Sequence, residues 1–178
     1  GLTNPILLLP GQALVILAPD QVHRVQAGET LNSIAAQYGT EPIVLMQNNP
    51  SLEGRSNVQP GQELIISYDT EKIGATMVAA SAYTNISENN LRRSMPYVSL
   101  SVTLTYTCTE TGEIIPLDDA RILNAAAEYL AAPTMNFSAL TSSGEYDLVL
   151  AHRIFTNAML QDNLINNLIA LMGEKGYV

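Results

Sequence analysis

Residues that could carry chemistry are few and widely spaced in this chain. Its one cysteine, Cys108, lies in a strand-like run of Thr and Tyr, which indicates a small buried residue and not a reactive thiol. His23 has no second histidine or carboxylate at metal-ligand spacing, so we expect no metal site. Asp118 and Asp119 stand where a helix is predicted to begin, and Asp118 can cap it. No glycine-rich phosphate motif follows a predicted strand, so we expect no nucleotide and no other cofactor.

Composition restricts the class of partner. The chain has 8 Lys plus Arg against 17 Asp plus Glu, a formal net charge of −9, which would repel a phosphate backbone. We therefore expect no nucleic-acid partner. Apolar residues make up 47% and charged residues 14%, which is sufficient for a packed core. No apolar run reaches the ~18 residues of a membrane span, so we expect none.

A heptapeptide occurs twice in the chain. Pro10-Gly-Gln-Ala-Leu-Val-Ile16 recurs as Pro60-Gly-Gln-Glu-Leu-Ile-Ile66, and an Asn-Pro pair precedes each copy. A period of about 50 residues is typical of tandem copies of one small module. We predict that residues 1–18 are the C-terminal remnant of a first copy and that residues 20–68 are a complete second copy.

The complete copy predicts the order strand, helix, helix, strand. Residues 22–25 alternate as a short strand, and Thr30 is a suitable N-cap for the helix that follows. Pro42 opens a second helix, which Asn49-Pro50 ends, and a strand is predicted over residues 63–67. The first helix has one apolar face, made of Leu31, Ile34, Ala35 and Tyr38. So small a core closes only if the two strands pair antiparallel beneath the helices.

The segment from Val25 to Gly39, Val-Gln-Ala-Gly-Glu-Thr-Leu-Asn-Ser-Ile-Ala-Ala-Gln-Tyr-Gly, followed by Asn49-Pro50 and Pro60-Gly-Gln62, resembles a LysM domain. LysM domains have this α+β (βααβ) fold and bind N-acetylglucosamine-containing glycans such as peptidoglycan and chitin. The resemblance implies a groove between two loops, whose glycan-binding residues are Gly28, Glu29, Thr30 and Leu31 on one wall and Pro50, Ser51 and Leu52 on the other. An acetamido sugar also needs an apolar pad, which we expect Leu31 or Leu52 to supply.

From residue 73 onward, predicted strands alternate with predicted helices. Strands are expected at 73–82, 98–108 and 132–137, with the start of a fourth at 176–178. Helices are expected at 87–95, after Asp118, and at 158–174, with a short helical stretch within 146–155. The buried face of the last helix is predicted to be Ile165, Leu168, Ile169 and Met172. This alternation is typical of an α/β fold with a parallel sheet.

Three segments, residues 90–97, 104–115 and 161–177, resemble family 18 glycoside hydrolases, in particular the LysM-bearing enzymes of spore-forming bacteria that digest spore-cortex peptidoglycan. The resemblance implies that residues 73–178 are the N-terminal part of a truncated (β/α)8 TIM barrel, comprising its first three βα units. The fourth strand of that family carries Asp-x-x-Asp-x-Asp-x-Glu for substrate-assisted hydrolysis. We expect that motif beyond Val178, so we expect no catalytic residue in this chain and no hydrolysis by it alone.

Active sites of such barrels gather at the carboxyl ends of the strands. The resemblance therefore implies that sugar-contacting side chains follow the first three strands, at Tyr83, Asn85, Tyr106, Asn136 and Phe137. Three or four strands would leave sheet edges unpaired, so we expect the remainder of the barrel or an oligomer to cover them.

Two hypotheses for the function come from different classes. The first is a cell-wall glycan-binding module of a glycoside hydrolase that cleaves peptidoglycan, in the spore cortex in its most specific form. The alternative is a non-catalytic, lectin-like glycan-binding wall protein; a purely structural wall adaptor would have no continuation of the barrel. All of them imply an extracellular location, in the bacterial cell wall or in the spore coat and cortex. An acidic motif ending in Glu downstream would favour the enzyme.

Overall fold

The structure is a computed structural model that describes residues 17–69, 74–141 and 143–178. It is a mixed α/β fold made of an amino-terminal unit and a second unit with a parallel sheet. Nearly all of the predicted remnant at 1–18, including its heptapeptide, lies outside the described residues.

The amino-terminal unit has the predicted order of elements. They are β1 (Pro19–Arg24), α1 (Leu31–Gln37), α2 (Pro42–Asn48) and β2 (Glu63–Tyr68). The two strands pair antiparallel, which confirms that prediction. Thr30 caps α1: its side chain accepts a hydrogen bond from the Ser33 backbone N–H at 3.1 Å, and the Ser33 hydroxyl accepts one from the Thr30 N–H at 2.9 Å. Pro42 begins α2, where its missing N–H leaves no hydrogen bond unmade.

The second unit alternates strands and helices. Its elements are β3 (Ala79–Tyr83), α3 (Glu88–Ser94), β4 (Leu100–Tyr106), α4 (Ala120–Glu128), β5 (Ala132–Phe137), α5 (Leu148–Thr156) and α6 (Ala158–Lys175). The strands form a three-stranded parallel sheet in the order β3-β4-β5. The parallel pairing is as predicted, and it brings the carboxyl ends of all three strands to one edge.

Several predicted strands differ from the observed ones. Among the described residues of the stretch predicted at 73–82, β3 begins only at Ala79, because its pairing with β4 starts at the Ala79–Leu100 pair. β4 ends at Tyr106, and Cys108 instead forms an isolated antiparallel bridge with Ile114. Residues 176–178 form no strand; the Val178 N–H makes one hydrogen bond, to the Pro133 carbonyl at 2.9 Å.

The predicted buried face of α6 is only partly correct. Ile165 and Ile169 are exposed, whereas Leu160 and Leu164 are buried and Leu168 is half-buried. Leu164 packs in a small core with Cys108 and Leu150, against which Leu168 also packs. α6 therefore packs on the rest of the chain mainly through side chains spaced i, i+4, namely Leu160, Leu164 and Leu168. Ile165 and Ile169 face outward.

A continuous hydrophobic core joins the two units. Leu45 and Leu52 of the first unit belong to the same buried cluster as Leu91 of α3 and Ile122 and Tyr129 of α4. Because buried apolar surface cannot separate without meeting water, the two units are expected to move as one body.

Polar contacts and one close backbone approach reinforce this core; together we call them the joint. The Tyr129 hydroxyl donates to the Gly54 carbonyl at 2.5 Å, and the Gln47 side-chain amide donates to the Pro96 carbonyl at 2.6 Å. Gly54 has a φ of 71°, and a Cβ added there would lie 2.0 Å from the Arg92 carbonyl oxygen. Glycine is therefore required at position 54 for two reasons, its backbone conformation and the approach of α3.

Gly54→Ala is expected to lower the free energy of unfolding by at least ~2 kcal/mol more than Gly39→Ala, measured by urea denaturation. Gly39 also has a positive φ, 64°, but no atom lies within 4 Å of an added Cβ, so it controls for backbone strain alone. Equal losses in the two variants would contradict the close approach at the joint.

Candidate functional site

The first predicted wall of the groove lies in the loop between β1 and α1. Gly28 and Thr30 are exposed there and Glu29 is half-buried, so their polar groups face solvent. Leu31 is only 1% exposed, because its side chain is a core residue of α1. This wall therefore offers a sugar the backbone of Gly28 and the side chains of Glu29 and Thr30.

The second predicted wall follows α2. Pro50 and Ser51 are exposed, while Leu52 is 5% exposed and packs in the shared core. The expectation that Leu31 or Leu52 supplies an exposed apolar pad is therefore wrong. Both side chains point inward because so small a unit has few large apolar residues from which to build a core.

Glu29 is held in place by a set of contacts that the sequence did not reveal. Its Oε2 accepts a hydrogen bond from the Gln26 N–H at 2.7 Å and lies 2.7 Å from Nε2 of the buried His23. The His23 Nδ1 in turn lies 3.1 Å from the Tyr38 hydroxyl. The Gln26 N–H, and after it His23, lower the pKa of Glu29, so the carboxylate is ionised over the neutral range. The signal in the sequence for this arrangement was the alternation of side chains along β1, which turns His23 inward.

His23 therefore pairs with a carboxylate, although the sequence indicated none at metal-ligand spacing. Within the part of the chain that the structure describes, no group of three or more His, Cys, Asp or Glu side chains is placed to hold a metal ion. The role of His23 visible in the structure is to brace the first wall.

Asn49 braces the second wall. The sequence indicated only that Asn49-Pro50 ends α2; the structure shows a buried side chain that joins α2 to β2. Its amide donates to the carbonyls of Leu45 and Ile65, each at 2.8 Å, and its carbonyl oxygen accepts from the Ile65 N–H at 2.8 Å. The position of Pro50 and Ser51 is thereby tied to the strand beneath them.

Asn49→Ala is expected to lower the free energy of unfolding by ~2–4 kcal/mol, because it leaves several buried backbone groups of α2 and β2 without a partner. Asn89→Ala, on the exposed side of α3, is the matched control and should stay within ~0.5 kcal/mol of the wild type. Chemical denaturation of both variants measures the difference, and a loss at Asn49 no larger than at Asn89 would refute the bracing role.

A second buried polar cluster surrounds Asp119. Its carboxylate accepts hydrogen bonds from the hydroxyls of Tyr106 and Tyr177, the latter at 2.5 Å, and forms a salt bridge with Lys175 at 2.5 Å. Asp119, not Asp118, is the N-cap of α4, and its side chain makes no capping hydrogen bond. The predicted capping by Asp118 is therefore wrong: the neighbouring carboxylate turns inward because three donors converge there.

The titration of Asp119 reflects the balance of these contacts. Burial alone would raise its pKa, but the donors on Lys175, Tyr106 and Tyr177 outweigh burial and hold the pKa below the ordinary value. Burial raises the pKa of both tyrosines, as does their contact with the carboxylate. Asp119 is therefore ionised and both phenols are protonated at neutral pH.

Asp119→Ala is expected to lower the free energy of unfolding by ~3 kcal/mol or more, since it leaves a half-buried ammonium and two phenols unpaired. Asp118→Ala, its exposed neighbour, is the control and should have little effect. The two variants are compared by urea denaturation at neutral pH; similar values would contradict the cluster.

The same cluster has a pH signature. Because the folded-state pKa of Asp119 is lowered, its stabilisation is complete above the unfolded-state pKa of ~4 and is lost as the pH falls through the lower folded-state value. The unfolding free energy of the wild type should therefore drop more steeply below pH ~4 than that of Asp119→Ala.

The five positions predicted at the carboxyl ends of the strands do lie at one edge of the sheet, but they differ in access. The side chains of Tyr83 and Asn85 are exposed. Tyr106 is 1% exposed and is committed to Asp119, so the prediction that it contacts sugar is at odds with its burial. Asn136 accepts hydrogen bonds from Thr105 and Ser138, and Phe137 packs against the core around Cys108. Tyr83 and Asn85 are therefore the most exposed of the five, whereas Asn136 and Phe137 are half-buried.

Cys108 is buried, as its sequence context indicated. Burial raises the pKa of its thiol, which therefore stays protonated near neutral pH. It serves as a small packing residue beside Leu150 and Leu164.

The amino-terminal unit matches a known family. The family model of the LysM domain matches residues 23–67, which span the end of β1, both helices and most of β2. A LysM domain is therefore present, and both braced loops belong to it.

The chain as a whole is similar to bacterial proteins with related names. It is 27% identical over 176 residues to YdhD of Bacillus subtilis, whose name assigns it as a sporulation-specific glycosylase; the match covers 96% of this chain and 40% of that protein. The chain is also similar to the crystal structure of the spore cortex-lytic enzyme SleL from Bacillus cereus. This match covers 88% of this chain and 48% of the SleL chain, with a TM-score of 0.53 and 16% identity. The match to the crystal structure of a chitinase from Chromobacterium violaceum covers 58% of this chain and 33% of the chitinase chain, with a TM-score of 0.50 and 19% identity.

These likenesses agree with the two resemblances seen in the sequence. The two structural likenesses show the fold, and the chain spans about 40% of the curated relative's length. Among the described helices, none combines the length and the apolar character needed to cross a bilayer.

Proposed function

We propose that this chain is the cell-wall glycan-binding part of a glycoside hydrolase that acts on peptidoglycan. The observation that carries the proposal is the LysM domain at 23–67, whose two loops are exposed and are each braced from below. Its ligand is an N-acetylglucosamine-containing glycan, of the peptidoglycan or chitin type.

The chemistry of the two loops supports a neutral, acetylated sugar. Gly28 is exposed, so its backbone groups can exchange hydrogen bonds with an acetamido group. Both contacts that fix the Glu29 carboxylate use Oε2, so Oε1 is available to accept from a sugar hydroxyl. A carboxylate that is already held by His23 and the Gln26 N–H loses little freedom when it binds.

The second unit is proposed to be the first βα units of a (β/α)8 barrel over residues 73–178, preceded by the LysM domain at 20–68 and a repeat remnant at 1–18. Its parallel sheet and the likeness to the spore cortex-lytic enzyme support this. Large exposed apolar side chains on α5, such as Leu148 and Phe155, suit a chain whose remaining barrel units pack against it.

The names of the relatives support a location in the bacterial cell wall or the spore, with spore-cortex peptidoglycan as the substrate of the whole enzyme. In such an enzyme Tyr83 and Asn85 would face substrate at the carboxyl edge of the sheet, because that is where barrel active sites form.

Ser51→Arg is expected to weaken binding of N-acetylglucosamine oligomers at least ~10-fold, about 1.4 kcal/mol, because a long charged side chain would fill the groove beside Pro50. Ser143→Arg, in the exposed turn after β5, is the matched control and should bind like the wild type. Titration followed by amide NMR signals of Gly28 to Leu31 gives the affinities. Unchanged signals in the wild type at millimolar sugar would defeat the proposal.

A further inference from the structure

A cleft of about 340 Å³ opens between the LysM domain and the turn from α4 to β5. Its volume falls within the ~300–1,000 Å³ range of small-molecule sites. On the LysM side its lining includes Asn32, Ile43, Met46 and Ser56; on the other side it includes Glu128 and Leu130. The cleft is therefore composite, since neither unit alone could form it.

Residues next to both LysM walls in sequence line the cleft. Asn32 lies in the first turn of α1, two positions after Thr30 of the first wall, and Ser56 lies in the same connection to β2 as Ser51 of the second wall. The segments that form the two walls therefore also contribute to the cleft.

Leu130 is the unusual residue of this cleft. Its φ is 59°, in the left-handed region, and its side chain is 76% exposed. It follows the C-cap Tyr129 of α4, a position where glycine normally ends a helix. A strained backbone carrying a large exposed apolar side chain persists only where the surroundings fix it, and such sites are often functional. Here the hydroxyl of Tyr129, bonded to Gly54, fixes the turn.

The lining of the cleft includes accessible apolar side chains, which the two LysM walls lack. Leu130 and the partly exposed Ile43 offer an apolar surface for an acetyl methyl or the face of a sugar ring, which the buried Leu31 and Leu52 cannot provide. Glu128 adds a carboxylate to accept from sugar hydroxyls; its side chain is 53% exposed and pairs with Arg92 at 3.2 Å. The Asn32 amide supplies both a donor and an acceptor.

We propose that this cleft binds further sugar units of the same N-acetylglucosamine-containing chain, so that one glycan contacts the LysM domain and the α4–β5 turn together. This inference rests on the proposed function and extends it to residues of the second unit. The joint makes it possible, because the two sides of the cleft keep a fixed separation.

The test uses Leu130→Asn in the full chain, titrated by calorimetry with the dimer and the pentamer of N-acetylglucosamine. Asn tolerates a positive φ, so the variant is expected to fold at least as stably as the wild type, which a thermal melt checks. Loss of the apolar contact should weaken the pentamer about 5-fold and leave the dimer unchanged. Leu148→Asn, at an equally exposed leucine of α5, is the matched control and should alter neither affinity.

A second variant, Glu128→Gln, keeps the shape of the cleft and removes its charge; it should weaken the pentamer about 3-fold, as expected for one lost charge-assisted hydrogen bond in water. Unchanged affinity for the pentamer in both variants would overturn the inference while leaving LysM binding intact, and so would an equal loss for dimer and pentamer. Absence of binding of either oligomer to the wild type would overturn the inference and the proposed function together.

Discussion

The close packing of one loop against two helices is the constraint on which the rest of the structure depends. The loop after α2 turns through Gly54, whose missing side chain lets the backbone of α3 approach and lets the Tyr129 hydroxyl reach its carbonyl. The same loop exposes Pro50 and Ser51 on its outer side. One short segment therefore serves as a wall of the candidate glycan site and as the contact that fixes this site to the parallel sheet.

Two buried polar side chains hold parts of this arrangement, and each of them makes several hydrogen bonds. Asn49 spans α2 and β2, and Asp119 gathers Tyr106, Lys175 and Tyr177 at the beginning of α4. In both cases the cost of burying a polar group is offset by several short hydrogen bonds, so removal of the central residue harms the fold more than its small size suggests. Each of these side chains also ties together segments that are distant in sequence.

The sequence was sufficient where structure follows from neighbouring residues. The cap at Thr30, the start of α2 at Pro42 and the parallel β/α alternation were all predicted from local patterns, and the LysM domain from three short segments of sequence. The sequence was insufficient where tertiary contacts decide. The inward turn of Leu31 and Leu52, the convergence on Asp119 and the late start of β3 at Ala79 depend on partners far along the chain, which no periodicity records. The narrow contact of α6 is a similar case, since its apolar residues occur on more than one face and packing selects the row of Leu160 and Leu164.

The central claim is that the LysM domain and the parallel-sheet unit form one rigid body, so that a bound glycan is held at a fixed position relative to the sheet. Backbone ¹⁵N relaxation of the whole chain tests this directly, because the ratio of relaxation rates reports the tumbling time of each unit. One rotational correlation time shared by amides of α1 and α2 and by those of β4 and β5 is the predicted result. Two distinct correlation times, with faster tumbling of the LysM domain, would contradict the account.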